Sequence, residues 1–311
     1  MALNAWIATI PNGSIIAFPA GGTYNLLSRG ITLTGRSNLV FRGNGSTLLE
    51  NGSPASMWSD TFVLNGPNSD ITISGFTIQG DNPNTGTNIY NSSNEGQPGI
   101  GVYSGSNIEI TNNTIRNTWG DAVYAADASG VWVHGLWVHG NAINYTGRNA
   151  FTINAAQNVL LDQNSIDHVG GSVLDIEPDV SYQGAINVTL SGNTVGMWGL
   201  SPAYTQHFVA CANNNSAVGA IIQGLTITGN TVTGGPPNTT NNPNSGGLYT
   251  DIAKDSTSDV MFTNNTTTKA GAGPVLIFGY VNGLTVSGNT QPLISGSLAE
   301  YDGDTAVVAS Q

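Results

Sequence analysis

The sequence predicts an all-β chain wound into one solenoid of stacked coils, and three observations carry that prediction. The first is a recurring phrase: SNLVFRGNGSTL at 37, SDITISGFTIQG at 69, SNIEITNNTIRN at 106, SGVWVHGLWVHG at 129, QNVLLDQNSIDH at 157, INVTLSGNTVG at 186, QGLTITGNTVTG at 223, SDVMFTNNTTTK at 258 and NGLTVSGNTQP at 282. With the second residue of each as anchor (Asn38, Asp70, Asn107, Gly130, Asn158, Asn187, Gly224, Asp259, Gly283), the steps are 32, 37, 23, 28, 29, 37, 35 and 24. A floor near 23 with variable additions is the signature of coils carrying loop insertions. The second is strict alternation of apolar and polar residues within each phrase, the pattern of a strand with one buried face. The third is composition: 41 Gly, with Asn at the corners and only 8% charged residues, leaves the surface to Asn, Ser, Thr and Gly.

The elements follow in order. Leu3, Trp6, Ile7 and Ile10 repeat at helical spacing, so residues 1–11 form a short amphipathic helix that ends at Pro11 and plugs the first open end. Residues 12–290 are coils, each built of three short strands, as in NIEIT, NTIRN and DAVYAAD. Equivalent strands of successive coils run the same way, so they pair in parallel. The GN and NN pairs before Thr114, Thr194, Thr231, Thr266 and Thr290 suit left-handed corners and can stack amides from coil to coil. Insertions interrupt the coils at 81–98, 179–185, 196–207 and 234–246, and such loops border a groove and carry recognition. After Thr290 the phrase fails, and 291–311 caps or trails from the far end. A continuous repeat argues for one domain over 1–311, although that length also fits two.

Charge excludes several partners. Seven Lys and Arg against 19 Asp and Glu give a net charge of −12, which repels phosphate backbones and, unless Ca²⁺ intervenes, polyuronates. One cysteine, Cys211, forms no internal disulfide and is expected in the core. No stretch approaches the about 18 apolar residues of a membrane helix, and the N-terminus lacks a basic-then-apolar leader, so no membrane partner is expected.

The chemistry concentrates between Gly147 and Asp179. Writing GRNAFTIN above GGSVLDIE sets Phe151 over Leu174, Ile153 over Ile176, Thr152 over Asp175 and Asn154 over Glu177. Apolar positions repeat while the positions between them change from hydroxyl and amide to two carboxylates. Two residues apart on one strand, Asp175 and Glu177 share a face with Cα atoms about 6.5 to 7 Å apart. Such a pair raises one pKa and supplies a proton donor beside a base or nucleophile. Glycoside hydrolysis uses that pair, at about 5 to 5.5 Å for retention or 6.5 to 9.5 Å for inversion. The same alignment extends an outward ladder from Tyr103 and Tyr124 through Thr152 and Asn154 to Asp175 and Glu177, then His207 and Val209, Tyr249 and Asp251, and Leu276 and Phe278. Arg148 and His168 fall at the corners before Asn154 and Asp175; Arg148 is either part of the site or only the acids' salt-bridge partner. Asp121 is a further groove candidate, and Trp198 and Tyr204 either stack on sugars or pack back on the coils. His134 and His139 fall on other faces, and no His/Cys cluster suggests zinc. Rows such as Thr72 with Ser74 and Thr226 with Thr228 would suit an ice-binding face, but Glu109, Trp132, His134, Leu160 and Met261 interrupt the array.

The repeated phrase and the opening IPNGSIIAFPAGGTYNLLSRGITLTGRSNLVFRGNGSTLL resemble right-handed parallel β-helix proteins of the pectate-lyase-like class, over nearly the whole chain. That resemblance implies the right-handed sense, in line with the preference of parallel crossovers. GR followed by DIEP one coil on resembles a motif of β-helix proteins from phages and actinobacteria and points to Arg148, Asp175 and Glu177. The NTD, DD and RIK motifs of polygalacturonase-like hydrolases and the DPH of epimerase-like chains are absent. The expectation is therefore a secreted or virion-associated glycan-degrading enzyme, a glycoside hydrolase acting on a neutral polysaccharide. Asp175 and Glu177 would be the catalytic pair, with Arg148 and His168 beside them; Asn154, Thr152, Tyr124, His207, Tyr249, Asp251 and Trp198 would bind substrate. No cofactor is expected, although Ca²⁺ belongs to the lyase alternative; a non-catalytic glycan-binding module from a phage tail or adhesin is the other. Relatives of this class imply a monomer or a homotrimer.

Overall fold

The computed structural model describes residues 2–27, 30–50, 59–83, 90–201, 207–212, 219–235, 246–251, 257–267, 276–279, 281–290, 299–302 and 308–310. A helix at Ala2–Thr9 precedes a right-handed parallel β-helix, and among the described residues every strand pairing is parallel. Because several strands run through the corners, 24 of them join into one continuous hydrogen-bonded sheet.

Alternation becomes a core by stacking. Phe62, Ile100, Val123, Phe151, Leu174 and Val209 occupy one inward row, and Leu64, Val102, Ala125, Ile153, Ile176 and Cys211 the next. All are buried, since each coil covers the apolar edge of its neighbour. Cys211 is a core residue, as expected.

The recurring phrase has a conformational cause. Asn38, Asp70, Asn107, Asn158, Asn187, Gly224, Asp259 and Gly283 all lie at φ between 53° and 79°, so the anchor is a left-handed corner that Asn, Asp and Gly tolerate. One anchor needs correction: the residue in line with Asn107 is Gly135, not Gly130, because Leu136 and Val138 pair with Ile108 and Ile110. SGVWVHGLWVHG contains the alternating unit twice, and the strand Val133–His139 takes in the end of the first copy and most of the second.

The GN and NN pairs divide two roles between them. Asn112, Gly192, Gly229, Asn264 and Gly288 take the left-handed conformation, while the Asn that follows each turns inward. Asn113, Asn141, Asn164, Asn193, Asn230, Asn265 and Asn289 form a ladder: from Asn141 on, each Oδ1 accepts the backbone and side-chain N–H of the Asn one coil before it, at 2.9–3.1 Å, and Asn113 Oδ1 accepts the Phe76 N–H at 3.0 Å. Buried polar groups at the corner are thereby satisfied.

The cap is narrower than its pattern. Ile7 is buried and Leu3 and Ile10 pack against the core, but Trp6 is exposed. Arg36 holds the helix end through Nη1 to the Ile7 carbonyl at 3.1 Å, Nη2 to the Ile10 carbonyl and Nε to Asn12 Oδ1. Coiling also continues past Thr290: Ala299–Asp302 pairs with Leu276–Gly279, and Val308–Ser310 with Val281–Ser287.

Candidate functional site

One outward row runs along the third strand of the coils: Thr32, Val63, Gly101, Tyr124, Thr152, Asp175, Ala210 and Tyr249. The aligned copies Phe151/Leu174, Thr152/Asp175 and Ile153/Ile176 are true neighbours across coils. Two positions on, Asn65 pairs with Tyr103 and Tyr103 with Ala126, and Asn154 and Glu177 follow the strands of Thr152 and Asp175. A corner row two residues before the strands carries Asp60, Asp121, Asn149 and Ser172.

Arg148 organises these rows. Gly147 permits its placement, because a Cβ there would lie 2.2 Å from the Trp119 carbonyl oxygen. The guanidinium reaches three acids on the two flanking coils: Nη1 is 3.4 Å from Asp121 Oδ2, Nη2 is 4.0 Å from Asp175 Oδ2, and Nη2 donates to Glu177 Oε1. Asn149 ties the same group from below. Its N–H donates to Asp121 Oδ1 at 2.8 Å, and its Nδ2 donates to Asp175 Oδ2 and Thr152 Oγ1, each at 3.1 Å. Its Oδ1 accepts the Ser172 N–H at 2.8 Å.

Access separates the acids. The Asp121 side chain is 1% exposed, Asp175 16% and Glu177 27%, so only the latter two can meet a ligand. Since one Nη2 reaches both, their nearest oxygens lie no more than about 7 Å apart, 4.0 Å plus an ordinary hydrogen bond. Three carboxyls share a single positive charge, and burial disfavours ionising them all. Burial raises Asp121, with Arg148 opposing. Burial pushes Asp175 up to about 6, again against Arg148. Glu177 rises well above the usual carboxylate range, first through burial and then through repulsion from Asp175. Burial and mutual repulsion favour keeping a proton within this group of carboxyls, with Arg148 opposing.

The other sequence candidates fall differently. Thr152 and Asn154 are each 1% exposed, so neither is free to hold sugar. Asn154 Nδ2 donates to the Glu177 carbonyl and to Asp179 Oδ2, each at 2.9 Å, and so fixes the strand end. Tyr124 is half-buried on the row beside Thr152, 5.9 Å ring to ring from Tyr103. His207 and Val209 share the inward parity of Cys211, so His207 is buried, and burial lowers its pKa to about 4; Ala210 takes the outward place. The loop at 196–207 had shifted that register by one. His168 belongs to another strand, Ser165–Val169, where Nδ1 meets Asp167 Oδ2 at 2.8 Å and the ring lies 4.8 Å from that of Tyr145. Trp198 is buried against Phe208 and offers no stacking platform. Tyr249 and Asp251 continue the rows of Ala210 and Ala212 by backbone register. Tyr204 lies outside the described residues.

Sequence reading passed over Asn149 and Tyr182. Asn149 was legible as the residue between Arg148 and the apolar run, one coil above Asp121. Tyr182 gave no signal. It stands 56% exposed in the insertion after Asp179, with its carbonyl accepting from Trp132 Nε1 at 2.9 Å. Gln183 braces that turn, accepting from the Asp179 N–H and donating to Asp127 Oδ1, each at 2.6 Å.

No family model matches the chain, and no curated protein does. Solved structures do, and these neighbours are right-handed parallel β-helix proteins. The Agl-KA catalytic domain superposes with a TM-score of 0.60 at 13% identity, over 99% of this chain and 64% of that one. The surface protein and adhesin PfbA of Streptococcus pneumoniae gives 0.57 at 15% identity, over 94% and 89%. The family 28 exopolygalacturonase of Yersinia enterocolitica gives 0.55 at 13% identity, over 98% and 74%. At such identity the likeness establishes the coil architecture.

Proposed function

We propose that the protein is a glycan-cleaving enzyme, a glycoside hydrolase acting on a neutral polysaccharide in the groove of Asp175 and Glu177. The observation that carries this reading is Arg148 holding three acids with one charge while only Asp175 and Glu177 reach solvent. Glu177, the more open of the two and raised in pKa by burial and by Asp175, donates a proton to the glycosidic oxygen as the C–O bond breaks. Asp175, as the carboxylate partner, supports the anomeric carbon and takes the proton of the water whose oxygen bonds there. Asp121, Asn149 and Thr152 position these groups without touching substrate.

Two features weigh against the lyase alternative. Arg148, the nearby base, is clamped by carboxylates, and a Ca²⁺ ion between those acids would meet its positive charge. Among the described residues no cluster of three or more His, Cys, Asp or Glu is arranged for a metal. A neighbouring exopolygalacturonase and a mutant tailspike of bacteriophage HK620 in complex with a pentasaccharide support a glycan partner and an extracellular or virion setting. A groove that holds glycan without cutting it is the second reading, favoured by the ion pairs that occupy Arg148 and by the adhesin among the neighbours.

Reducing-end release from a panel of neutral glycans tests the proposal. Wild type is expected to release ends, and Glu177→Gln and Asp175→Asn to lower the rate by about 10² to 10⁴ with the fold retained. Unchanged rates in both variants would refute the assignment, and no release by wild type would leave the binding reading.

A further inference from the structure

A second group of side chains lies outside the groove, on the face formed by strands Ile100–Thr111, Val133–His139 and Ala155–Asp162. Glu109, Trp137 and Leu160 stand side by side on successive coils, and two residues on Thr111, His139 and Asp162 do the same. Trp137 is 43% exposed in a row whose later members include Thr189 and Thr226. It is held from two directions. Its ring stacks on His139, with centroids 3.8 Å apart and planes 17° apart, and its Nε1 donates to Asp162 Oδ1 at 2.7 Å. His139 Nε2 meets Glu109 Oε1 at 3.1 Å, and Glu109 Oε2 accepts the Thr72 hydroxyl at 3.0 Å.

This arrangement has the marks of a prepared surface. An indole already fixed by a stack and a hydrogen bond loses little freedom when a ligand covers it. Two residues before it stands Gly135, so its own strand sets no side chain against the ring face opposite His139. The Glu109 side chain, 34% exposed, offers a carboxylate beside the ring.

We propose that this face is a second glycan-holding site, where a neutral sugar stacks its C–H face on Trp137 and donates hydroxyls to Glu109. The electron-rich face of an indole attracts polarised C–H groups, and a carboxylate accepts strong hydrogen bonds from hydroxyls. Thr189 and Thr226 extend the row along the solenoid axis, so a chain lying across the coils meets further hydroxyls. An acidic ligand would face Glu109, Asp162 and the net charge of −12. The class of ligand rests on the glycan reading of the groove; the location rests on this surface alone.

Affinity electrophoresis of the Glu177→Gln protein through gels containing soluble starch, dextran, galactomannan or xyloglucan tests the site. At least one polysaccharide is expected to retard the protein, and adding Trp137→Ala is expected to weaken that retention at least fivefold. Trp137→Phe, which keeps a ring, should retain part of it and guards against a folding defect. Retention that ignores Trp137, or no retention in any gel, would overturn the proposal. The two readings fail separately. If Glu177→Gln leaves cleavage intact while Trp137→Ala loses retention, the surface site stands alone; the reverse outcome leaves only the groove.

Discussion

Two clusters of acids border the same solenoid, and they differ in one residue type. Near the first coils, Glu50 and Asp60 are 4% and 6% exposed and, among the described residues, form no salt bridge: Ser59 and Thr61 donate to Glu50, Tyr103 lies beside Asp60, and Asp81 adds repulsion at Glu50. Asp60 fits only because Gly101 has no side chain; a Cβ there would lie 1.8 Å from Asp60 Oδ2. Three coils on, Asp121, Asp175 and Glu177 share Arg148, and two of them reach solvent. Without a cation, burial pushes Glu50 up to about 7 and Asp60 to about 8, leaving neutral acids sealed in place. With a cation and an opening, a proton can be held by one carboxyl and exchanged at another. Clustering of acids alone therefore does not mark a site; a shared charge and access to a ligand do.

The largest expected contrast is catalytic. Glu177→Gln should abolish release of reducing ends, whereas Glu50→Gln should leave it unchanged; equal effects would erase the distinction between the clusters. Next comes the cation. Arg148→Met strands three acids, and urea unfolding at neutral pH should show a loss of about 3 kcal/mol, in the range for breaking a partly buried charge network. A change under about 0.5 kcal/mol would mean that Arg148 does not organise the site.

The sealed cluster should instead appear in the pH dependence of stability. Folding raises the pKa values of Glu50 and Asp60, so the native chain binds more protons than the unfolded one between pH about 4 and about 8. Their contribution is fully present below the unfolded values near 4 and is lost as pH rises through the folded ones. Melting temperature should fall from pH 5 to pH 8, and Asp60→Asn should flatten that slope; an unaltered slope would show that Asp60 ionises freely in the native state. The smallest effect belongs to Thr61→Val, which removes the 3.2 Å bond to Glu50 and should cost about 1 kcal/mol by the same unfolding assay.

Much of this comparison was legible in the chain. Alternation and Asn or Gly corners set the coils, and the doubled sentence around Phe151 and Leu174 placed Thr152 beside Asp175 correctly, because strands in short coils keep register. Register was lost where loops intervene: the insertion at 196–207 moved His207 and Val209 to the wrong face, and the twofold repeat in VWVHGLWVHG displaced an anchor by five residues. Burial at the site was not legible either. A period of two separates inward from outward, but it does not show that Asn154 and Thr152 lie beneath longer neighbours, or that Tyr182 rather than Trp198 stays open. Glu50 and Asp60 escaped notice because their cluster joins a strand end to a corner through contacts between coils.

The claim beneath the functional reading is that Glu177 keeps its proton where ordinary glutamates have lost theirs. Carbon-13 NMR of protein labelled at the glutamate carboxyls, with the signal assigned by its disappearance in Glu177→Gln, measures this directly. Glu177 is expected to titrate well above the 4.5 of an ordinary glutamate. A Glu177 carboxyl already ionised at pH 5 would contradict it, since that group would have no proton to give.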